Sequence, residues 1–242
     1  MNRHRFADSA ALHAAAAQRI AALAAASIAA RGAFHIALSG GNTPRGLHAQ
    51  LATLADIDWP AWHIWFGDER CVPPDHPDSN YHMARETLLD RVPIPAAHIH
   101  PMIPNAQITP PEAARAYARQ LREQAPQHHA RPALDLILLG LGPDGHTASL
   151  FPGTSILDDR EHDVAEVYVA RLSAWRVSLT YPVIENARDV LFLVDGSGKA
   201  DILHRLEHGP AEGATPLPVE RLKPRAGYEW YIAEPAPPPP AP

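Results

Sequence analysis

Residues 134–153, with the sequence LDLILLGLGPDGHTASLFPG, decide how this chain folds. The first six residues are almost entirely apolar and lack the alternation of a strand that has one face in water. A continuous apolar run of this kind predicts a strand that is covered on both faces, as in a parallel sheet wrapped by helices. Three glycines and then His146 follow, so the strand is expected to end in a glycine-rich loop that carries a histidine.

Outward from this stretch, short apolar runs alternate with segments of helical composition. The other runs are Phe34 to Leu38, His63 to Phe66 and Val190 to Val194, and the helical segments are 44–54, 81–89, 112–124 and 199–206. This alternation predicts an α/β fold: a mostly parallel, Rossmann-like sheet with helices on both faces and a small additional subregion. Further strands at 164–169, 177–180 and 228–232 are expected to extend the sheet.

We expect residues 1–233 to form a single α/β domain and the proline-rich residues 234–242 to be a disordered tail. Residues from about 9 onward predict a helix capped by Asp8 or Ser9. Asp8, Gln18 and Arg19 interrupt its apolar character, and no stretch approaches the roughly 20 apolar residues of a membrane span. The sequence therefore predicts a soluble protein without a membrane partner.

Composition narrows the function further. The formal net charge is −6 with no basic block, which disfavours nucleic acid as a partner. The single cysteine, Cys71, excludes an intramolecular disulfide framework and fits a reducing, cytoplasmic location. The 15 histidines are scattered and form no HExxH motif, so we expect no metal site.

The chemically capable residues cluster just after the predicted strands. Because the carboxyl ends of parallel strands lie along one edge, four loops should meet there. The first loop is Ser39-Gly40-Gly41-Asn42-Thr43, which leads into a helix with Thr43 as its expected N-cap. Two glycines let a ligand approach the backbone N–H groups of a helix N-terminus, a site that favours phosphate. An ordinary glycine turn is the alternative for this loop taken alone.

Cations from two other loops point to the same ligand. Asp68 and Arg70 follow the strand that ends at Phe66, and Asp68 would either orient Arg70 or meet the ligand itself. Arg176 precedes a further apolar run, and Lys199 follows the strand that ends at Val194. Together Arg70, Arg176 and Lys199 would form a local positive pocket in an acidic protein, as a dianionic phosphate requires.

The loop after residue 139 supplies the candidate base. His146 lies at what the pattern predicts to be a helix start, where the helix dipole favours the neutral imidazole that accepts a proton. Its reference pKa near 6.5 suits general-base work at neutral pH. A lone histidine is more often structural than catalytic, so this interpretation depends on the other loops converging on it.

Five motifs in order carry a resemblance to a known family: SGGNTP, FGDERCVPPDHPDSNY, LLGLGPDGHTASLFPG, RVSLT and LVDGSGKA. They resemble the glucosamine-6-phosphate isomerase/6-phosphogluconolactonase family over roughly residues 34–206, and the lactonases within it most. Asn42 departs from the pattern, which more often has serine there. The resemblance implies hydrolysis of 6-phospho-D-glucono-1,5-lactone to 6-phospho-D-gluconate in the oxidative pentose phosphate pathway.

Carried over by position, the resemblance makes His146 the base that activates water and gives Asp144 a part in shaping or polarising the site. It implies a phosphorylated sugar lactone as the ligand, no cofactor, and a monomer or weak homodimer.

Two alternatives remain beside the lactonase. In the similar glucosamine-6-phosphate deaminases the histidine segment carries a glutamate before its proline, whereas Phe151 stands there in this chain and moves no proton. A non-catalytic sugar-phosphate sensor would keep the phosphate loop and lose the base. A serine hydrolase is disfavoured because the chain has no G-x-S-x-G elbow around Ser149.

Overall fold

The computed structural model describes residues 2–196 and 198–233, so the predicted tail 234–242 lies outside the described residues. Its α-helices are α1 Ser9–Arg31, α2 Asn42–Leu51, α3 Asn80–Thr87, α4 Pro110–Gln124, α5 Tyr181–Asn186 and α6 Ala200–His208. Its strands are β1 Asn2–Phe6, β2 Phe34–Leu38, β3 Trp62–Phe66, β4 Asp68–Arg70, β5 Gln127–His128, β6 Arg131–Pro132, β7 Leu136–Leu139, β8 Val164–Val169, β9 Ala174–Leu179, β10 Asp189–Asp195 and β11 Glu229–Ala233.

The central layer is a six-stranded sheet in the order β1-β11-β10-β7-β2-β3, and every neighbouring pair is parallel. All residues of β2 and β7 are buried, as expected for strands that are covered on both faces by helices. The α/β class, the parallel sheet and its flanking helices are therefore confirmed. The strand order reverses between β7 and β2, because β2 continues outward to β3 while β7 continues to β10.

Two of the three expected sheet extensions are wrong. Only the run at 228–232 joins the main sheet, as β11, whereas the runs at 164–169 and 177–180 form β8 and β9 of a separate antiparallel sheet in the order β4-β9-β8. The burial of β8 explains this, since Val164, Val167 and Val169 are buried while Tyr168 is exposed. This small sheet is the additional subregion that the sequence predicts.

The small sheet is joined directly to the main one. After β3 ends at Phe66, Gly67 is the only residue before β4 begins at Asp68. The carbonyl oxygen of Gly67 accepts a hydrogen bond of 2.9 Å from the N–H of Leu179, at the end of β9. The charged triplet of β4 is thereby held at the carboxyl edge of the main sheet.

Helix α1 is capped by Asp8, whose side chain accepts a 2.8 Å hydrogen bond from the N–H of Ala11. By length and composition alone α1 could cross a membrane, which differs from the expectation that no stretch would be apolar enough. In the fold, the face that carries Leu12, Ala16 and Ile20 is fully buried, and α1 contacts β2 and β11. The apolar face of α1 is thus part of the core.

Candidate active site

Loops from four strands of the main sheet meet at its carboxyl edge around a cleft of about 260 Å³. The cleft lies at the reversal of strand order, where open α/β sheets bind their ligands. Seven of the predicted site residues line it: Ser39, Gly40, Gly41, Asp68, Arg70, His146 and Lys199. Asn42 and Thr43 line an adjoining cavity of about 370 Å³, which shares Gly40, Gly41 and Lys199 with the cleft.

The candidate base is bonded to the carboxylate two residues before it. His146 Nδ1 lies 2.5 Å from Asp144 Oδ1, and Nε2 has no hydrogen-bond partner within the described part of the chain. A carboxylate on Nδ1 favours the tautomer with the proton on that nitrogen, so Nε2 keeps its lone pair. Burial raises the pKa of Asp144, but the hydrogen bond and charge of His146 and the charge of Arg171 outweigh it and lower this pKa.

His146 does not begin a helix, so the expected helix start at this residue is wrong. Residues 140–153 form turns, held by hydrogen bonds such as that from the N–H of Gly142 to the carbonyl oxygen of His146, 2.8 Å long. The glycines make these tight turns possible. A Cβ on Gly142 would lie 1.9 Å from His146 Nδ1, and Gly145 adopts a φ of 76° in the left-handed region.

Two side chains that the sequence analysis did not assign to the site contact the Asp144–His146 pair. Arg171, in the turn between β8 and β9, makes a 2.8 Å ion pair with Asp144 Oδ2. The Phe151 ring stacks on the His146 ring, with centroids 4.1 Å apart and planes 27° apart. The Arg171 guanidinium in turn lies 4.9 Å from the centroid of Phe151. Phe151, which has no titratable group, therefore packs against the candidate base.

The glycine loop after β2 leads directly into α2. Gly41 is its N-cap with a φ of 102°, and no side chain caps the helix, so the prediction that Thr43 is the cap is wrong. The first N–H groups of α2 therefore remain available to an anion. A Cβ on Gly40 would lie 1.8 Å from Asn80 Oδ1, so this loop packs tightly against the start of α3.

Arg70 lines the cleft and faces Arg176, a predicted site residue that does not line it. Arg70 of β4 is directly opposite Arg176 of β9, and like charges in that position repel. Burial lowers the pKa of Arg176, and the charge of Arg70 lowers it further. Arg70 donates a hydrogen bond to the carbonyl oxygen of Asp78, whereas Arg176 makes no hydrogen bond or ion pair with residues 2–196 or 198–233. An anion bound between the two guanidinium groups would reduce their repulsion.

Asp68 contacts neither arginine through an ion pair among the described residues. Its Oδ2 accepts a 2.6 Å hydrogen bond from Ser149 Oγ, and Asn80 Nδ2 donates to its carbonyl oxygen over 2.9 Å. Asp68 thus connects the loop after β7, which carries His146, to α3. Ser149 is fully buried, whereas a nucleophile would be exposed. Neither Asn80 nor Ser149 was assigned to the site from the sequence. Each is an uncharged residue inside a longer motif, and its type alone does not indicate a role.

Glu69 stabilises the junction of β4 and α3 through a buried carboxylate. It is buried at 1% exposure, and its carboxylate accepts hydrogen bonds from the N–H groups of Arg70, Asn80 and Tyr81 and from Ser79 Oγ. Burial raises the pKa of Glu69, while the backbone donors lower it. Two of those donors are the first N–H groups of α3, which Ser79 also caps. Glu69 therefore fixes β4 to α3 and positions Arg70 beside the cleft.

Comparison with known proteins identifies the family of this chain. A family model described as glucosamine-6-phosphate isomerases/6-phosphogluconolactonase matches residues 7–230. The 6-phosphogluconolactonase of Synechocystis sp. is 44% identical over 86% of this chain and 85% of that protein. The human 6-phosphogluconolactonase is 40% identical over 96% of this chain and 90% of that protein.

Solved structures agree in fold. The 6-phosphogluconolactonase of Trypanosoma brucei has a TM-score of 0.83 at 29% identity, covering 96% of this chain and 95% of that one. A monomeric glucosamine-6-phosphate deaminase has a TM-score of 0.78 at 20% identity, covering 96% of this chain and 97% of that one. At that identity the deaminase is evidence of a shared fold alone.

Proposed function

This chain belongs to the glucosamine-6-phosphate isomerase/6-phosphogluconolactonase family, and we propose that it hydrolyses 6-phospho-D-glucono-1,5-lactone to 6-phospho-D-gluconate with His146 as the general base. It is an enzyme of the carboxylic ester hydrolase class, as its relatives over most of the chain are. The observation that carries the proposal is the convergence on one cleft of a histidine–aspartate pair and a cationic, glycine-lined anion site.

In the first step, His146 Nε2 accepts a proton from a water molecule as that water attacks the lactone carbonyl carbon. The attack forms a C–O bond and moves the carbonyl π electrons onto oxygen, which gives a tetrahedral oxyanion. Asp144 holds Nδ1–H and stabilises the imidazolium that forms. This division of roles needs only one base and a fixed water position, because a lactone is an activated ester.

In the second step, the oxyanion collapses and the bond between the carbonyl carbon and the ring oxygen breaks. The imidazolium returns its proton to that ring oxygen, which becomes the hydroxyl of the open-chain acid. His146 is neutral again, and the carboxylic acid loses its own proton to solvent. The proton count closes with water as the sole co-substrate.

The phosphate would bind against Gly40, Gly41 and the first N–H groups of α2, where the helix dipole favours an anion. Asn42 and Thr43 form the first turn of that helix. Arg70, Arg176 and Lys199 would supply the cations, and a phosphate between the two arginines would relieve their repulsion. Binding energy from the phosphate would thereby hold the lactone carbonyl near His146.

The test is the rate of acid release from 6-phosphogluconolactone by purified protein. His146→Ala should remove nearly all of the acceleration over the spontaneous rate, whereas His162→Ala, at a surface histidine whose side chain is 71% exposed, should not. A fully active His146→Ala variant would remove the base from the proposal. Release of ammonia from glucosamine 6-phosphate would favour a deaminase, and binding of the sugar phosphate without turnover would favour a sensor.

A further inference from the structure

Four side chains behind the cleft close into a ring of contacts. His146 is bonded to Asp144, Asp144 to Arg171, Arg171 lies against Phe151, and Phe151 stacks on His146. Three members come from the loop after β7. Arg171 alone comes from another part of the fold, the turn between β8 and β9. It therefore connects the small sheet to the base loop.

The contact with Arg171 limits the rotation that the Asp144–His146 bond leaves to the carboxylate of Asp144. With Oδ1 on His146 Nδ1, the carboxylate could still rotate, but the 2.8 Å contact of Oδ2 with Arg171 holds both oxygens. The guanidinium, on a side chain that is 50% exposed, also makes a cation–π contact with the Phe151 ring. Both oxygens of the orienting carboxylate are thus assigned to separate partners, which defines the plane of the His146 ring.

We propose that Arg171 is a positioning residue for the base: it holds the second oxygen of Asp144, so that the Asp144–His146 pair keeps the imidazole aimed at the cleft. This inference rests on the proposed role of His146. Arg171 contacts Asp144 and Phe151 and lines the neighbouring cavity of about 620 Å³ rather than the cleft, so it acts through Asp144.

The contacts give the direction of the effect. Without Arg171, Asp144 would keep its 2.5 Å contact with His146 but would lose the partner of its second oxygen. A carboxylate that can turn about its remaining contact holds the imidazole less firmly, so Nε2 would be aimed at the cleft less often and kcat would fall.

The same hairpin also carries Arg176. Arg171 lies in the turn from β8 to β9, and Arg176 follows in β9 opposite Arg70. One short antiparallel hairpin therefore holds both a cation of the phosphate site and the partner of Asp144. A ligand that orders Arg176 would stabilise the same hairpin that fixes the base.

The test compares Arg171→Met with Arg171→Lys. Methionine keeps an unbranched apolar stem against Phe151 but has no charge, and it should lower kcat about tenfold with little change in KM. Lysine, which keeps the charge, should restore most of kcat. In an Asp144→Asn background the Arg171→Met change should have no further effect, because the two act through one contact.

Arg160→Met is the matched control. Arg160 also pairs with a carboxylate, Glu185 at 2.9 Å, and lies 4.7 Å from an aromatic centroid, that of Tyr181, so the same kinds of contact are lost away from the cleft. We expect its kcat to match the parent, and nitrogen-15 spectra of the imidazole should report an altered His146 tautomer only for Arg171→Met.

Three outcomes would overturn the proposal: an unchanged kcat for Arg171→Met, a change in KM alone, or losses that multiply with those of Asp144→Asn. These differ from a failure of the proposed function, for which His146→Ala would itself remain active.

Discussion

Gly142 is the position where one added methyl group should disable the base without unfolding the protein. A Cβ there would lie 1.9 Å from His146 Nδ1, 2.1 Å from its Cε1 and 2.7 Å from Asp144 Oδ1. Real Cβ atoms essentially never approach another atom within 3.0 Å, so the imidazole has to move by about 1 Å. The backbone of Gly142 is not in the left-handed region, so an alanine adds no φ strain.

A displacement of this size at a catalytic group costs about 100-fold in rate. For Gly142→Ala we therefore expect kcat for 6-phosphogluconolactone to fall about 100-fold, since the movement breaks the 2.5 Å contact between Asp144 and His146. KM should change little, because the phosphate site lies on other loops. The assay is acid release, measured against the spontaneous rate, together with the thermal midpoint of unfolding.

Gly67→Ala is the control for this change. A Cβ on Gly67 would lie 3.6 Å from the nearest atom, an ordinary contact, and Gly67 does not line the cleft. Its kcat should stay within a few-fold of the parent. A folded Gly142→Ala protein with unchanged kcat would refute the view that the Asp144–His146 geometry sets the rate.

Two further predictions concern the phosphate site and acid stability. Arg176→Met should raise KM about 10- to 100-fold, since a charge-assisted hydrogen bond contributes about 1.5–3 kcal/mol, and should leave kcat similar; a purely structural Arg176 would change thermal stability and not KM. Burial and neighbouring histidines lower the pKa of His35 to about 3 and of His63 and His100 to about 4. Between about pH 6.5 and 4 these rings bind protons only in the unfolded chain. Their contribution to the free energy of unfolding is therefore intact above about pH 6.5. It falls by up to about 1.4 kcal/mol per histidine per pH unit as the pH drops to 4. Urea unfolding between pH 7 and 4.5 should show a shallower pH dependence for His63→Phe, and parallel curves would contradict this assignment.

The buried half of the fold could be predicted from sequence because its signal is local. The strands β2, β3, β7 and β10 are apolar runs, and the parallel arrangement follows from their alternation with helices. β4 was missed because its sequence, Asp-Glu-Arg, has no strand character and pairs with a strand more than 100 residues away. β1 was missed for a similar reason, since NRHRF is polar and its partner β11 is remote in sequence.

Sequence reasoning proposed site residues where a residue type alone suggests a chemistry. His146 and the glycine loop stand out because a base and a phosphate cradle need those residues. Arg171 does not stand out, because an arginine in a turn is ordinary and its contact with Asp144 depends on how a hairpin folds back. Thr43 was misassigned as a cap because Gly41 begins the helix without any side-chain cap.

The position of β1 has a consequence for the order in which the protein folds as it is synthesised. β1 precedes the other described strands along the chain, yet it lies at the edge of the main sheet beside β11, whose residues 229–233 emerge more than 200 residues later. Arg3 and Arg5 both reach Glu207, so the side chains of β1 also contact a residue that is made late. On the ribosome β1 must therefore stay unpaired until β11 emerges, while the strands that carry the cleft, all within residues 34–195, are already available to pair. Among the described strands, the one made earliest joins the main sheet late.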